Sequence, residues 1–247
     1  MKFTPELITL SLDLYFSGLS LRKITRTVND HFNIQVGVTT VYDWIQRYVP
    51  LVSKYVRTLT PELSNTWHAD EVFVKMKGGK SNKMNKSIAY LWNVMDRRTR
   101  FLLASKLSED RDALGAVNAF KEAIQNAQGI APEHVFTDSL KAYRQGIGAL
   151  EIAGLPNHVA NCGVGKPHAT NNRIERLNGT LRERIKVQRG WKSKKSQIAE
   201  GQRIQYNFVK PHMALEGQTP AQSAKIGIEG NNKWLEMLQL VNKKAQT

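Results

Sequence analysis

The sequence has one cysteine, Cys162, in 247 residues, which excludes an intrachain disulfide and any cysteine-cluster zinc site. It also lacks an apolar run near the ~18 residues that cross a bilayer, so no membrane partner is expected. Acids are scarce: 21 Asp plus Glu face 36 Lys plus Arg, a net charge of +15 with a pI near 9.9. That deficit argues against a cationic partner and favours a polyanion, with nucleic acid the first candidate. The opening MKFTPELITLSLDLYF carries acids inside its apolar stretch and has no small-residue cleavage site. It reads as a helix of the mature protein and not as a signal peptide, and the expected compartment is cytoplasmic. What is present is enough for a core: 41% of the residues are apolar, and the length suits one large domain or two smaller ones.

The positive charge is uneven. From Gly163 to Lys210 there are twelve Lys/Arg against three acids, and from Glu71 to Arg100 eight against two. The first sixty residues are nearly balanced. Lys192, Lys194 and Lys195 beside Trp191 form a basic patch with an aromatic neighbour, which suits a phosphate backbone plus a stacking contact. A solvated helix face is the plainer alternative for any one of these lysines.

Residues 1–50 read as an all-α helix-turn-helix domain. Thr4-Pro5-Glu6 starts a helix that Gly18 stops, and Ser20 caps a second carrying Leu21, Ile24 and Val28. After a turn at 33–37, Thr39 or Thr40 is expected to cap a third helix, with Val41, Trp44 and Ile45 inward, ending before Pro50. In such a unit the last helix enters the major groove, leaving Thr39, Thr40, Tyr42 and Arg47 to meet DNA. A small helical bundle without DNA contact is the alternative. Residues 51–64 read as a linker.

From Trp67 the pattern becomes α/β. Strands are expected at 67–76, 88–95, 99–105, 134–137 and 158–162, and helices at 112–126, 139–152 and 171–187. The order βββαβαβα describes a mixed sheet with helices on it. Asp70 interrupts a strand whose same face otherwise carries Val72, Val74 and Met76, and Asp138 ends a short buried strand, where α/β sheets place ligands. Glu71 points to the opposite face from Asp70 and is not counted with it. Glu175, Asn178 and Arg182 share one stripe of the last helix. Taken singly, Asp138 would cap a helix and Glu175 would sit on a solvated face. Together, two strand aspartates and a glutamate 37 residues beyond the second can converge on one point. Carboxylates ~4 Å apart repel by ~1 kcal/mol per pair in water and ~4 at an effective dielectric of ~20, so cations must neutralise them. Hard oxygen ligands select Mg²⁺, with Mn²⁺ as substitute, and two such ions clamp an in-line phosphoryl displacement.

The segments WHADEVFVKMKG, YLWNVMDRRTRFLLA, HVFTDSLKAY and HATNNRIERLNGTLRERIK resemble the catalytic core of DDE transposases of the IS6/IS240 insertion-sequence group. The resemblance runs from about Leu19 to about Pro220. It implies an RNase H-like mixed five-stranded sheet flanked by helices over 65–210, behind the helix-turn-helix unit, with a C-terminal tail and short helix over 211–247. It places the family's catalytic and metal-binding carboxylates on Asp70, Asp138 and Glu175. Arg182 falls where the family has a basic residue at the DNA end, and Lys186 continues that basic stripe. The tail motif Tyr206-Asn207…Pro211-His212…Thr219-Pro220-Ala221 resembles the end of integrase cores, where its role is packing. By this resemblance the chain is expected to be the transposase of an insertion sequence. It would bind double-stranded terminal repeats and target DNA, cleave and join strands with two Mg²⁺, and act as a homo-oligomer. A nuclease that cuts without joining and a non-catalytic helix-turn-helix regulator are the rivals.

Overall fold

The structure is a computed structural model that describes residues 3–76, 88–150, 154–160, 171–191 and 197–244. Three helices come first: α1 (Pro5–Phe16), α2 (Leu21–Phe32) and α3 (Val38–Val56). The hydroxyls of Thr4 and Ser20 cap the first two as expected. Asn33, in the left-handed region at φ 48°, ends α2. The following turn is pinned by the Asn29 side chain, which bonds both the N–H and the C=O of buried Val36.

The third helix departs from expectation at both ends. It starts at Val38 with Gly37 at the cap position, so Thr39 and Thr40 lie in its first turn. It also runs through Pro50 to Val56, which makes the first part of 51–64 helix and not linker. A mid-helix proline costs ~3 kcal/mol. Val49, Val52 and Val56 on either side of it are all buried, and that burial outweighs the lost hydrogen bond.

The sheet comprises β1 (Thr66–Lys75), β2 (Ile88–Asp96), β3 (Leu102–Ser108), β4 (His134–Phe136) and β5 (Asn157–Val159), in the order β3-β2-β1-β4-β5. β1, β2 and β3 are antiparallel, while β4 and β5 add parallel to the other side of β1. This is the expected mixed five-stranded sheet. β3 starts at Leu102 and not at Thr99, because the Asp96 carboxylate takes both the N–H and the hydroxyl of Thr99 and Arg100 turns at φ 58°. β5 ends at Val159, and Cys162 lies outside the described residues.

Helices cover both faces. α4 (Ala113–Asn126), capped by the Asp112 carboxylate, and α5 (Lys141–Gly148) lie on one side. α5 is shorter than the expected 139–152, because the chain leaves the helix at Ala149. α6 (Asn172–Gln188) lies against β1 on the other side. Strand alternation assigns the faces: Asp70 and its partner Asn93 look toward α6, while Glu71 and its partner Trp92 look toward Tyr143 of α5.

The C-terminal part closes the molecule with α7 (Ile198–Ile204), a π-helical turn at Gln205–Val209, α8 (Pro220–Ser223) and α9 (Lys233–Lys244). Fully buried Asn207 exchanges both amide bonds with Leu102 and so pairs part of edge strand β3. Packing is therefore what this stretch of the tail motif does. Trp234 stacks on Phe16 at 5.6 Å and donates its indole N–H to Gln205, tying α9 to α1. Gly201 faces the Phe16 ring so closely that a β-carbon would stand 2.0 Å from it. The N-terminal helices and the sheet thus share one continuous apolar core. Among the described residues no helix is long and apolar enough to cross a membrane.

Candidate active site

β1 and β4 run parallel with His68 opposite Phe136, and continuing that register puts Asp70 level with Asp138. The two aspartates, 68 residues apart in sequence, therefore come together near the middle of the sheet, Asp70 within β1 and Asp138 two residues past the end of β4. Oxygens of Asp70, Asp138 and Glu71 lie within 4.8 Å of one another. Three hard oxygen donors from three carboxylates suit a divalent cation of the Mg²⁺ or Mn²⁺ class. Burial, then the charge of Glu71, push the Asp70 carboxyl up to about 6; Asp138 adds to the rise, while the Glu71 N–H and the Asn178 amide hold it back. A carboxylate raised by its like-charged neighbours is one that a cation would relieve.

A chain of buried amides fixes Asp70. The Ser105 hydroxyl donates to Asn93 Oδ1, Asn93 Nδ2 to Asn178 Oδ1, and Asn178 Nδ2 to Asp70 Oδ2, each at 2.8 Å. The ionised Asp70 carboxylate can only accept, which fixes the orientation of Asn178 and then of Asn93, whose Nδ2 also reaches the Leu91 carbonyl at 3.4 Å. Two residues earlier on the same face, His68 Nδ1 donates to Asn171 Oδ1 at 2.8 Å, and burial lowers the imidazole below its usual range, keeping it neutral. Asn171 caps α6 and Asn178 lies two turns on, so β1 is clamped to one stripe of the helix at both points. Glu175 lies on that stripe between the clamps.

Glu71 adds to the sequence reading. It does lie on the opposite face, yet its carboxylate joins the acidic cluster, and it is held there firmly. Arg111 Nε donates to Glu71 Oε1 at 2.6 Å, its Nη2 pairs with the same oxygen, and the Tyr143 hydroxyl donates to Oε2 at 2.6 Å. Arg111 also reaches Asp138 Oδ2 at 3.8 Å, while Asp138 Oδ1 accepts the Leu140 N–H. Asp138 stands beyond the last residue of β4, where groups from both faces reach it. Glu175 is not part of the group within 4.8 Å, and Asn178, one turn on, donates to Asp70 Oδ2.

The other expected contact residues fall in different places. Thr39 and Arg47 are exposed on α3, with Arg47 over the Tyr48 ring, and Thr40 and Tyr42 are half-buried. Arg182 and Lys186 are exposed on α6, and Lys186 pairs with Glu183. Trp191 cannot stack on a base: it is 1% exposed, bridges to Met76 and donates its indole N–H to Gln188. An aromatic next to lysines in sequence was simply a core residue there. Lys192, Lys194 and Lys195 lie outside the described residues. Missed by the sequence reading were Arg111, Tyr143 and Asn93. Only Asn93 carried a signal, as the one amide in the otherwise apolar YLWNVM strand.

Residues 64–208 match the profile of the DDE domain of IS240-type transposases. The chain is 28% identical over 138 residues to the transposase for insertion sequence-like element IS431mec of Staphylococcus aureus (strain N315), covering 56% of each protein. It is likewise 28% identical over 138 residues, 56% of each protein, to the transposase for insertion sequence element IS257 in transposon Tn4003 of Staphylococcus aureus. The chain thus spans about half the length of these relatives. Among solved structures, the catalytic core domain of BIV integrase matches with a TM-score of 0.44 and 14% identity, over 74% of this chain and 99% of that one. The Drosophila P element transposase strand transfer complex matches with a TM-score of 0.38 and 14% identity, over 61% and 36%. The fold described above stands on its own sheet order and register, not on these two likenesses.

Proposed function

Because this chain belongs to the DDE-domain family of IS240-type transposases, we propose that it is the transposase of an insertion sequence, cleaving DNA at element ends and joining the freed 3′-hydroxyl to target DNA. The observation that supports the reading is the meeting of the Asp70 carboxylate on β1 with that of Asp138 just past the parallel strand β4, with the Glu175–Asn178 stripe of α6 laid against Asp70.

Asp70, Asp138 and Glu175 would hold two divalent cations, Mg²⁺ with Mn²⁺ as substitute. When bound, such ions activate the attacking oxygen and neutralise the leaving one. Glu71 is the weaker candidate for third ligand, because both of its oxygens are already taken by Arg111 and Tyr143. The remaining chemistry belongs to the chain's own groups. Asn178 aims one Asp70 oxygen, and Arg111 supplies positive charge behind Asp138. Arg182, exposed on the Glu175 helix, would hold the DNA end, and the exposed face of α3 would read the terminal repeat. Water attacks the end phosphodiester first and releases a 3′-hydroxyl. That hydroxyl then attacks a target phosphodiester, expelling a 3′-oxygen, with no covalent bond to the protein. Two ends must meet for joining, so a homo-oligomer is part of the proposal.

The test incubates the full chain with duplex carrying its element's terminal repeats, a supercoiled plasmid, and Mg²⁺ or Mn²⁺. Nicked ends and joined plasmid are expected, both vanishing when the divalent ion is chelated. Duplex binding without any strand breakage would overturn the reading.

A further inference from the structure

A cleft of about 330 Å³ opens between α1, α6, α7 and the π-helical turn, and nothing in the proposed reaction uses it. It is distinct from the carboxylate site. Nine residues separate Glu175 from Arg184, a half-revolution at ~100° per residue, so α6 presents Arg184 on the side away from Glu175.

The walls are apolar, with Phe16, Leu177, Leu181 and Val209 among them, and two cationic side chains stand among the polar groups within. Arg184 from α6 and Lys210 from the end of the π-helical turn both line the cleft, and neither has an ion pair among the described residues. Gln202 of α7 lines it as well. It is 5% exposed, and its Nε2 is buried with no acceptor. Asp13, the one acid of the lining, has Oδ1 occupied by the Ser17 hydroxyl and the Gln205 amide. Burial, then the nearby charge of Arg184, push the Lys210 ammonium below its usual range. The Arg184 guanidinium lies against Gly18, where a β-carbon would meet it.

A buried amide donor left unpaired and two cations close together are each unfavourable, and a bound anion relieves both. Three donors on three different elements, two of them charged, match an oxyanion with several acceptor oxygens. We propose that this cleft binds a phosphate group through Arg184, Lys210 and Gln202. The phosphate comes either from the backbone of bound DNA or from a free phosphate, and only the first source rests on the function proposed above.

The experiment uses the full chain and its Arg184→Gln and Lys210→Gln variants, each first compared with wild type by circular dichroism and thermal melting. Lys210→Gln carries the test alone should loss of Arg184 prevent folding. One arm titrates inorganic phosphate by calorimetry, with an expected weakening of at least ~10-fold in each variant. The other measures duplex affinity against salt, where losing one phosphate contact makes the slope of log K on log salt shallower by ~0.9. A shallower slope assigns the site to DNA. Lost phosphate binding with an unchanged slope assigns it to a free phosphate. Variants that match wild type in both arms overturn the proposal. If wild type binds no duplex but its phosphate site vanishes in the variants, the cleft stands while the transposase reading falls.

Discussion

Replacing Asp70 by asparagine is expected to give a protein that is harder to unfold and no longer cuts DNA. The two effects have one cause. The Asp70 carboxyl is pushed up to about 6, first by burial and then by Glu71, from a reference value of 3.8. With the folded value above the unfolded one, stability is fullest below about pH 4 and falls as pH rises toward 6. At neutral pH the ionised form therefore costs on the order of 1–3 kcal/mol, allowing for partial solvent exposure. Asparagine removes the charge but can still accept from Asn178 Nδ2, so the amide chain from Ser105 survives. Denaturant melts at pH 7.5 should show a higher midpoint than wild type, and the two midpoints should converge near pH 4. Cleavage should fall by ~10³-fold or more, equivalent to ~4 kcal/mol of lost transition-state stabilisation. A destabilised Asp70→Asn protein, or one that still cleaves, would contradict this.

Glu200→Leu is expected to act in the opposite direction, at a site remote from the carboxylates. Arg203 is almost wholly buried, with 2% of its side chain exposed, and Glu200 takes its Nε at 3.0 Å and Nη2 at 2.7 Å. Glu200 also accepts the Ser53 hydroxyl at 2.5 Å and pairs with Arg57 at 3.5 Å, so one acid joins α7 to α3. Removing it strands a buried guanidinium, for which a loss of ~3–5 kcal/mol is typical. Despite its burial, Arg203 and then Arg57 hold the Glu200 carboxyl down to about 2. A folded value below the unfolded one means that this stabilisation is complete above about pH 4.5 and is lost as pH falls toward 2. Urea melts should place the variant well below wild type at pH 7, with the gap closing through that acid window. A constant gap from pH 7 to pH 2 would show that the pair carries no such charge coupling.

The legible and illegible parts of the sequence divide along a physical line. The strands around Asp70 and Asp138 announced themselves, because alternation and β-branched runs are local signals that tertiary packing then reinforced. The failures occurred where distant groups decide. Pro50 stops a helix by local rules, but valines on both sides of it are buried and keep α3 intact. Trp191 looked like a stacking platform until Met76 and Gln188 enclosed it. Period-two alternation correctly put Glu71 on the far face, yet gave no hint that Arg111 and Tyr143 would gather it into the acidic cluster. Asn178 was visible as a neighbour of Glu175 on one stripe, but its bond to Asp70 appears only once α6 is laid on β1.

Metal-dependent rescue distinguishes which glutamate completes the site. A cysteine thiolate is a poor ligand for Mg²⁺ and a better one for the softer Mn²⁺. Strand cleavage by Glu175→Cys should be lost in Mg²⁺ and partly restored in Mn²⁺. Glu71→Cys breaks the contacts to Arg111 and Tyr143, and its activity should be low in both ions. A Glu175→Cys protein as active as wild type in Mg²⁺, or Mn²⁺ rescue of Glu71→Cys and not of Glu175→Cys, would contradict the assignment of Asp70, Asp138 and Glu175 as the metal-binding carboxylates.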